Sequence, residues 1–253
     1  MTDERLFKLI KKSVHGAYVD MTVEALSLAK ECGSGKFLHI LCGGSAFLRR
    51  PISICDVYED KVRFIFEVKG EGTKALAGLK VGDDVDILGP LGNGFDVSDS
   101  GTTVFVGGGI GTFPLLYAAR EYFEKHGKKS YAVLGFRNKN VIYPQIIKDF
   151  EQFCNVVLLT DDGSEGQKGY AVNGLKQIIE SENVAQIMTC GPEIMMNTVI
   201  AAARENNISC QASYEQRMGC GAGFCLCCTK KVDICGELKQ ICVCKDGPVI
   251  KVT

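Results

Sequence analysis

The sequence predicts a multi-domain chain: a small antiparallel β-barrel, a doubly wound α/β domain, and a short cysteine-rich segment at the end. Three observations predict it. Up to residue 98, short runs rich in β-branched and aromatic residues are separated by closely spaced turn signals. Over 99–212, strand-like runs alternate with stretches of helical length, the pattern of a parallel sheet covered by helices. Over 213–253 the chain is rich in Cys and Gly and too short to fold without a staple.

In the barrel the strand candidates are 37–41, 62–68 and 84–88, bounded by Gly33-Ser-Gly, Glu59-Asp60, Gly70-Glu-Gly and Gly82-Asp-Asp. Residues 24–31 have helical character but are expected to be strand and loop within a barrel. In the second domain, strands are expected at 103–107, 130–136, 156–160, 186–191 and 209–213, with helices at 113–126, 145–153, 172–182 and 193–206. The strands' carboxyl ends are where a nucleotide should bind.

Composition excludes several functions. The 253 residues are 46% hydrophobic and 23% charged, with a net charge of −1, so no field favours nucleic acid or anionic membranes. The start, Met1-Thr-Asp-Glu-Arg, is acidic where a secretory signal is basic. The most apolar segment, 104–119, is broken by Gly107, Gly108, Gly109, Gly111 and Pro114 and is no membrane span. A soluble, cytoplasmic protein is expected. Of thirteen Cys, the scattered Cys32, Cys42, Cys55, Cys154, Cys190 and Cys210 read as small hydrophobes of a reducing compartment. The crowded ones require a metal or cluster.

Cys220, Cys225 and Cys228 have the C-x4-C-x2-C spacing of plant-type [2Fe–2S] proteins, with Cys242 and Cys244 competing as the fourth ligand. Gly219, Gly221 and Gly223 let amides turn toward the sulfurs. Zinc is the alternative, but it favours paired C-x2-C knuckles, and only Cys225/Cys228 makes one. Cys227 and Cys235 are not expected to ligate.

Gly107, Gly108, Gly109, Gly111 and Thr112 lie at a strand–helix junction, where glycines permit a tight turn and close approach of a pyrophosphate. The usual G-x-G-x-x-G spacing with a downstream acid is not reproduced. Cys190, Gly191 and Pro192 end a second strand on the same crevice; Cys190 is either a neighbour of a nicotinamide or a small residue at a tight turn. Gly135-Phe136-Arg137 and 160–164 are candidate ribose and adenine contacts, with turn chemistry the alternative for Asp161 and Asp162. In the barrel, Arg50-Pro51-Ile52-Ser53 offers a guanidinium fork for phosphate and a hydroxyl for a ring nitrogen or carbonyl. Gly72 and Thr73 open a possible anion-binding helix, or an ordinary turn and cap. The glycine-rich 89–95 reads as the interdomain connection. His15, His39 and His126 lie outside every motif, and no acid–base constellation is visible.

With these modules in this order, the chain resembles the ferredoxin-reductase superfamily and, more closely, the electron-transfer subunits of dihydroorotate dehydrogenase B. The likeness runs nearly end to end, on Arg50-Pro-Ile-Ser53, Gly72-Thr73, Gly107-Gly-Gly-Ile-Gly111-Thr112, Cys190-Gly-Pro192, Met218-Gly-Cys220 through Cys228, and Cys244-Lys-Asp-Gly-Pro-Val. It implies FAD at Arg50, Pro51, Ile52, Ser53, Gly72 and Thr73, with the strand residues Ile65, Phe66 and Glu67. It implies NAD at Gly107, Gly108, Gly109, Gly111, Thr112, Cys190, Gly191 and Pro192. The cluster ligands it implies are Cys220, Cys225, Cys228 and, from the residues that follow it, Cys244. Glu67 departs from the family, which usually has a basic residue there, leaving Arg50 or Lys69 to neutralise the pyrophosphate.

The resemblance further implies an FMN-containing dihydroorotate dehydrogenase catalytic subunit as partner, in a heterotetramer of two copies of each. Electrons would enter through the cluster, cross FAD and leave as hydride on NAD+. The reverse flow, from NAD(P)H to a ferredoxin-, hydrogenase- or sulfide-reducing partner, is the alternative oxidoreductase. A zinc-stabilised binding module is the alternative of another class. Arg137 and Lys139 leave NAD and NADP open.

Overall fold

The structure, a computed structural model, describes residues 5–253. The strands β1 (Leu6–His15), β2 (Tyr18–Glu24), β3 (Phe37–Leu41), β4 (Arg50–Tyr58), β5 (Lys61–Glu67) and β6 (Asp84–Leu91) close a barrel in the order β1-β2-β5-β4-β3-β6. Alternation along each strand decides which side chains fill it. Val62, Phe64 and Phe66 of β5, Leu38 and Ile40 of β3, and Ile52 and Ile54 of β4 form its core. The residues between them, including His39, Ser53, Arg63 and Ile65, therefore face outward. Closure leaves no open edge strand.

Residues 24–31 correct the expectation of strand and loop: Leu26–Ala29 forms a single helical turn, α1. Leu28 and Ala29 bury against the barrel core, which outweighs the poor intrinsic stability of one turn. Helix α2 (Glu71–Gly78) follows β5, and the Thr73 hydroxyl accepts from the amides of Lys69 at 2.9 Å and Gly70 at 3.1 Å.

The second domain contains β7 (Thr102–Gly108), α3 (Phe113–His126), β8 (Ser130–Phe136), α4 (Pro144–Glu151), β9 (Cys154–Thr160), β10 (Gln167–Lys168), α5 (Ala171–Ser181), β11 (Val184–Cys190), α6 (Glu193–Glu205) and β12 (Ser209–Ser213). Its sheet runs β10-β9-β8-β7-β11-β12 in parallel. The chain winds outward from β7 to β10 and then returns to lay β11 on the other side of β7. That reversal opens a crevice at the carboxyl ends of β7 and β11.

The C-terminal segment is not a separate body. Its hairpin, β13 (Thr229–Ile234) and β14 (Glu237–Cys242), leads through the helical turn α7 (Val243–Asp246) to β15 (Val249–Lys251). β15 pairs antiparallel with β12 and completes a seven-stranded sheet. Cys228, Cys242, Val243 and Cys244 are buried in one core with Val104, Val106 and Val133. The 89–95 connection helps pin this segment: the Asn93 amide donates to the Gly247 carbonyl at 2.7 Å, and its side-chain nitrogen to the Asp246 carbonyl at 2.9 Å. No helix among the described residues is long and apolar enough to cross a membrane.

Barrel and sheet are clamped together. Arg63 is forked on Asp20 and also reaches Asp149 of α4 at 2.6 Å. Arg120 of α3 binds Asp56 of β4 at 2.8 Å and the Val57 carbonyl. Tyr18 and Phe113 meet edge to face with ring centroids 5.3 Å apart.

Candidate functional site

Three patches carry the sequence-predicted site residues, and the first of them, on the terminal segment, rests on the barrel through Gly221 against His39 and Leu91. The first is the cysteine loop between β12 and β13. The Cys220 sulfur accepts from the amides of Cys225 and Ala222, each at 3.4 Å, and these amides, that of Cys225 foremost, hold the thiol down to about 6. The thiolate that a metal needs is thus favoured before any metal binds. Gly221 and Gly223 have φ of +70° and +83°, so the loop bends as the glycine spacing anticipates. A Cβ on Gly219 would stand 3.2 Å from the Cys225 sulfur.

The Cys228, Cys242 and Cys244 sulfurs all lie within 4.8 Å of one another and are buried. Cys242 lies 3.3 Å from Cys228, so proximity alone does not separate the two candidates for fourth ligand. The Gly223 amide, inside the cysteine loop, donates to the Cys244 sulfur at 3.1 Å. Cys225 and Cys227 are exposed, flanked by Phe224 and Leu226, which are 86% and 63% exposed. Amide-lined sulfurs on a glycine loop, with a buried cysteine behind them, fit a thiolate-bound iron–sulfur centre.

The second patch is on the barrel wall. Arg50 begins β4, and its guanidinium lies over the first turn of α2: a Cβ on Gly72 would stand 2.9 Å from Nε. A cation beside free helical amides suits a pyrophosphate, which is the fit that FAD demands. Ser53 is half-buried on the outer face of the barrel, between the inward-facing Ile52 and Ile54. Ile65 and Phe66 have their side chains taken into the cores, leaving only backbone for a ligand. Glu67 pairs with Lys69 at 2.9 Å, so of the two cations anticipated here Lys69 is engaged and Arg50 is the one at the helix.

The third patch is the crevice between β7 and β11. Three of its glycines are required by packing. Added Cβ atoms would stand 2.9 Å from Thr112 at Gly107, 2.5 Å from the Met195 sulfur at Gly108, and 2.4 Å from the Cys190 carbonyl oxygen at Gly111. Gly109 alone among them has a positive φ, +53°, with open space above it. Thr112 is buried and donates to the Gly109 carbonyl at 2.8 Å. Gly191, with φ of +153°, packs on Gly108, so the two strand ends touch as the topology requires. Pro192 is exposed at the start of α6. Cys190 is half-buried as a residue, yet burial of its thiol pushes it up to about 12, so it is a neutral thiol and no nucleophile. Asp162 accepts from the Ser164 amide and hydroxyl, which is turn chemistry. Gly111→Ala is expected to cost about 1–3 kcal/mol by overpacking. Gly109→Ala is expected to spare the fold more but raise KM for the nucleotide. Urea denaturation and NAD titration of both variants check this; equal effects on stability would refute the division of roles.

His39 was legible in no motif, and the structure places it against Gly221 of the cysteine loop. No local signal could have found it, because the contact joins β3 to a segment at the far end of the chain.

A flavin-type barrel, a doubly wound nucleotide sheet and a C-terminal cysteine cage together define a ferredoxin-reductase-like iron–sulfur oxidoreductase. Residues 215–253 match the model of the iron-sulfur cluster binding domain of dihydroorotate dehydrogenase B, and residues 105–200 that of the oxidoreductase NAD-binding domain. The first match favours iron–sulfur over zinc. The chain is 38% identical over 215 residues to the electron transfer subunit of dihydroorotate dehydrogenase B (NAD(+)) from Caldanaerobacter subterraneus subsp. tengcongensis, covering 85% of this chain and 83% of that one. The corresponding subunit of Streptococcus mutans is 39% identical over 227 residues, with 86% and 84% covered. Among solved structures, one of NADH-dependent reduced ferredoxin-NADP oxidoreductase aligns with a TM-score of 0.84 at 28% identity, covering 99% of this chain and 90% of that one. The ferredoxin reductase of carbazole 1,9a-dioxygenase shares the fold at a TM-score of 0.66 and 16% identity, with 81% and 66% covered. The chain belongs to the family of dihydroorotate dehydrogenase B electron transfer subunits.

Proposed function

We propose that this chain carries electrons from dihydroorotate, oxidised on a partner catalytic subunit, to NAD+. The observation that carries this reading is the glycine-bent, amide-lined cysteine loop resting on the barrel wall of a chain that also has a strand–helix nucleotide crevice. The cluster exchanges single electrons, NAD+ takes a hydride, and FAD, stable in three oxidation states, joins the two. The protein's part is to hold these groups near one another. Cys220, Cys225, Cys228 and Cys244 would hold the cluster, with the loop amides stabilising negative sulfur. Arg50, Pro51, Ile52 and Ser53, with Gly72 and Thr73 on α2 and the backbone of Ile65, Phe66 and Glu67, would hold FAD. Gly109 would face NAD across from Cys190, Gly191 and Pro192, with Gly107, Gly108, Gly111 and the buried Thr112, which holds the Gly109 carbonyl, shaping the crevice.

We read the chain as the modules 1–98, 99–212 and 213–253, the last sharing the core of the second and lending β15 to its sheet. Phe224 and Leu226, apolar and exposed beside Cys225, suit a partner docking over the cysteine loop. That partner is an FMN-containing catalytic subunit, in a heterotetramer of two copies of each, in the cytoplasm. The likeness to the NADH-dependent ferredoxin-NADP oxidoreductase structure supports a second reading, with electrons flowing from NAD(P)H to a ferredoxin.

One experiment decides between them. The purified chain, loaded with FAD, iron and sulfide, is mixed with the FMN subunit and supplied with dihydroorotate and NAD+. Orotate and NADH are expected to form in equal amounts only in the mixture. Absence of both, with ferredoxin reduction by NAD(P)H instead, would establish the second reading.

A further inference from the structure

His39 is buried, 1% exposed, on the outer face of β3. It stands opposite Pro51 of β4 and Leu88 of β6. Neither Nδ1 nor Nε2 has a hydrogen-bond partner among the described residues, although both are buried. Leaving a buried polar group unsatisfied forfeits its hydration with nothing in return. A leucine would fill the same wall without that cost. The buried imidazole therefore points to an acceptor that the described residues do not supply.

The ring's surroundings indicate where that acceptor lies. The residue over it is Gly221, which follows Cys220 and adopts φ of +70°. A Cβ there would stand 2.8 Å from Nδ1 and 3.0 Å from the Leu91 side chain, so the loop backbone rests directly on the imidazole. Burial, and then the charges of Arg49 and Arg50, hold the His39 pKa below its ordinary value. The ring is thus neutral near pH 7 and offers one N–H. Arg49 donates to the His39 carbonyl at 3.2 Å, not to the ring.

We propose that His39 supplies a side-chain hydrogen bond to a sulfur of the iron–sulfur centre, from the barrel wall across to the cysteine loop. The proposal rests on the cluster reading above. A donor to sulfur favours the reduced, more negative state, so His39 raises the cluster's potential. It is a tuning residue in the wall shared by the Arg50–Ser53 strand and the cysteine loop.

The test uses the FAD- and cluster-loaded protein in three forms: wild type, His39→Gln and His39→Leu. Protein labelled with 15N-histidine is reduced and examined by pulsed EPR. Wild type is expected to show a nitrogen coupling to the cluster that is lost in His39→Gln at unchanged iron and sulfide content. In redox titrations the cluster potential is expected to shift negative in His39→Leu, less so in His39→Gln, while the FAD potential stays. No coupling in wild type, or equal cluster potentials in all three forms, would overturn the proposal. A shift in FAD alone would also overturn it, assigning the donor to the flavin. Should His39→Leu not load a cluster, the wild-type coupling and His39→Gln still decide. A wild type with no [2Fe–2S] signal at all refutes the functional reading itself, which is a separate result.

Discussion

Cys244→Ser is expected to abolish the [2Fe–2S] centre and all dihydroorotate-dependent NAD+ reduction, while Cys242→Ser keeps both. The two cysteines are two residues apart, both buried, and their sulfurs lie 3.9 Å from each other. Their surroundings differ. Cys244 accepts from the Gly223 amide, and its own amide donates to the Cys228 sulfur at 3.4 Å. It is therefore tied to the cysteine loop on one side and to a second candidate ligand on the other. Cys242 has its sulfur against Cys228, while its amide is taken by the Asp246 carboxylate at 2.7 Å, which caps the turn α7. Burial, and then the neighbouring Cys228 sulfur, pushes the Cys244 thiol up, and a bound cation favours the thiolate at such a site. Serine offers a poorer ligand of the wrong softness. Iron and sulfide analysis with EPR of the reduced protein measures the outcome; cluster loss in Cys242→Ser with retention in Cys244→Ser would reverse the assignment. Retained flavin absorption in either variant separates cluster loss from misfolding.

The parts of this molecule that depend on short-range pattern are readable from its sequence. The helix at 113–126 coincides with α3, because Pro114 suits a first turn and the apolar residues repeat at helical spacing. Strand 37–41 coincides with β3. The cysteine loop is legible because ligand geometry fixes spacing. Glycines are legible as a junction but not by role: three of the four in 107–111 are there because Thr112, Met195 and Cys190 crowd them. The return of β15 to the sheet carries no local signal, since three residues, Val249–Lys251, make a strand only beside β12. Residues 24–31 are not legible in the same way, because burial of Leu28 and Ala29, not propensity, decides their state. His39 and Arg63 are the extreme cases. Their meaning lies in partners that the fold brings in from far along the chain.

Arg63→Met is expected to destabilise the folded protein by about 3–5 kcal/mol, the usual cost of removing one partner from a buried ionic group. Arg63 holds Asp20 through Nε and Nη2, the latter at 2.8 Å, and Asp149 through Nη1 at 2.6 Å; these side chains are 12%, 10% and 13% exposed. Tyr143 adds a hydroxyl donor to Asp20 at 3.0 Å. Methionine would fill the space but leave two carboxylates facing each other without a cation. The residues are 43 and 86 positions apart, so this group also fixes how the barrel meets the nucleotide domain, and through that the relation of the FAD wall to the NAD crevice. The chain has no Trp, so circular dichroism through a urea titration is the suitable readout. Replacing all three, as Asp20→Leu, Arg63→Met and Asp149→Leu together, is expected to recover most of the lost stability, because an apolar set needs no counter-charge. It is not expected to recover the full rate of hydride transfer from FAD to NAD+, because Leu and Met lack the directional fork that sets the angle between domains. If the triple variant transfers hydride at the wild-type rate, packing alone sets that angle and the ionic group has no role in function.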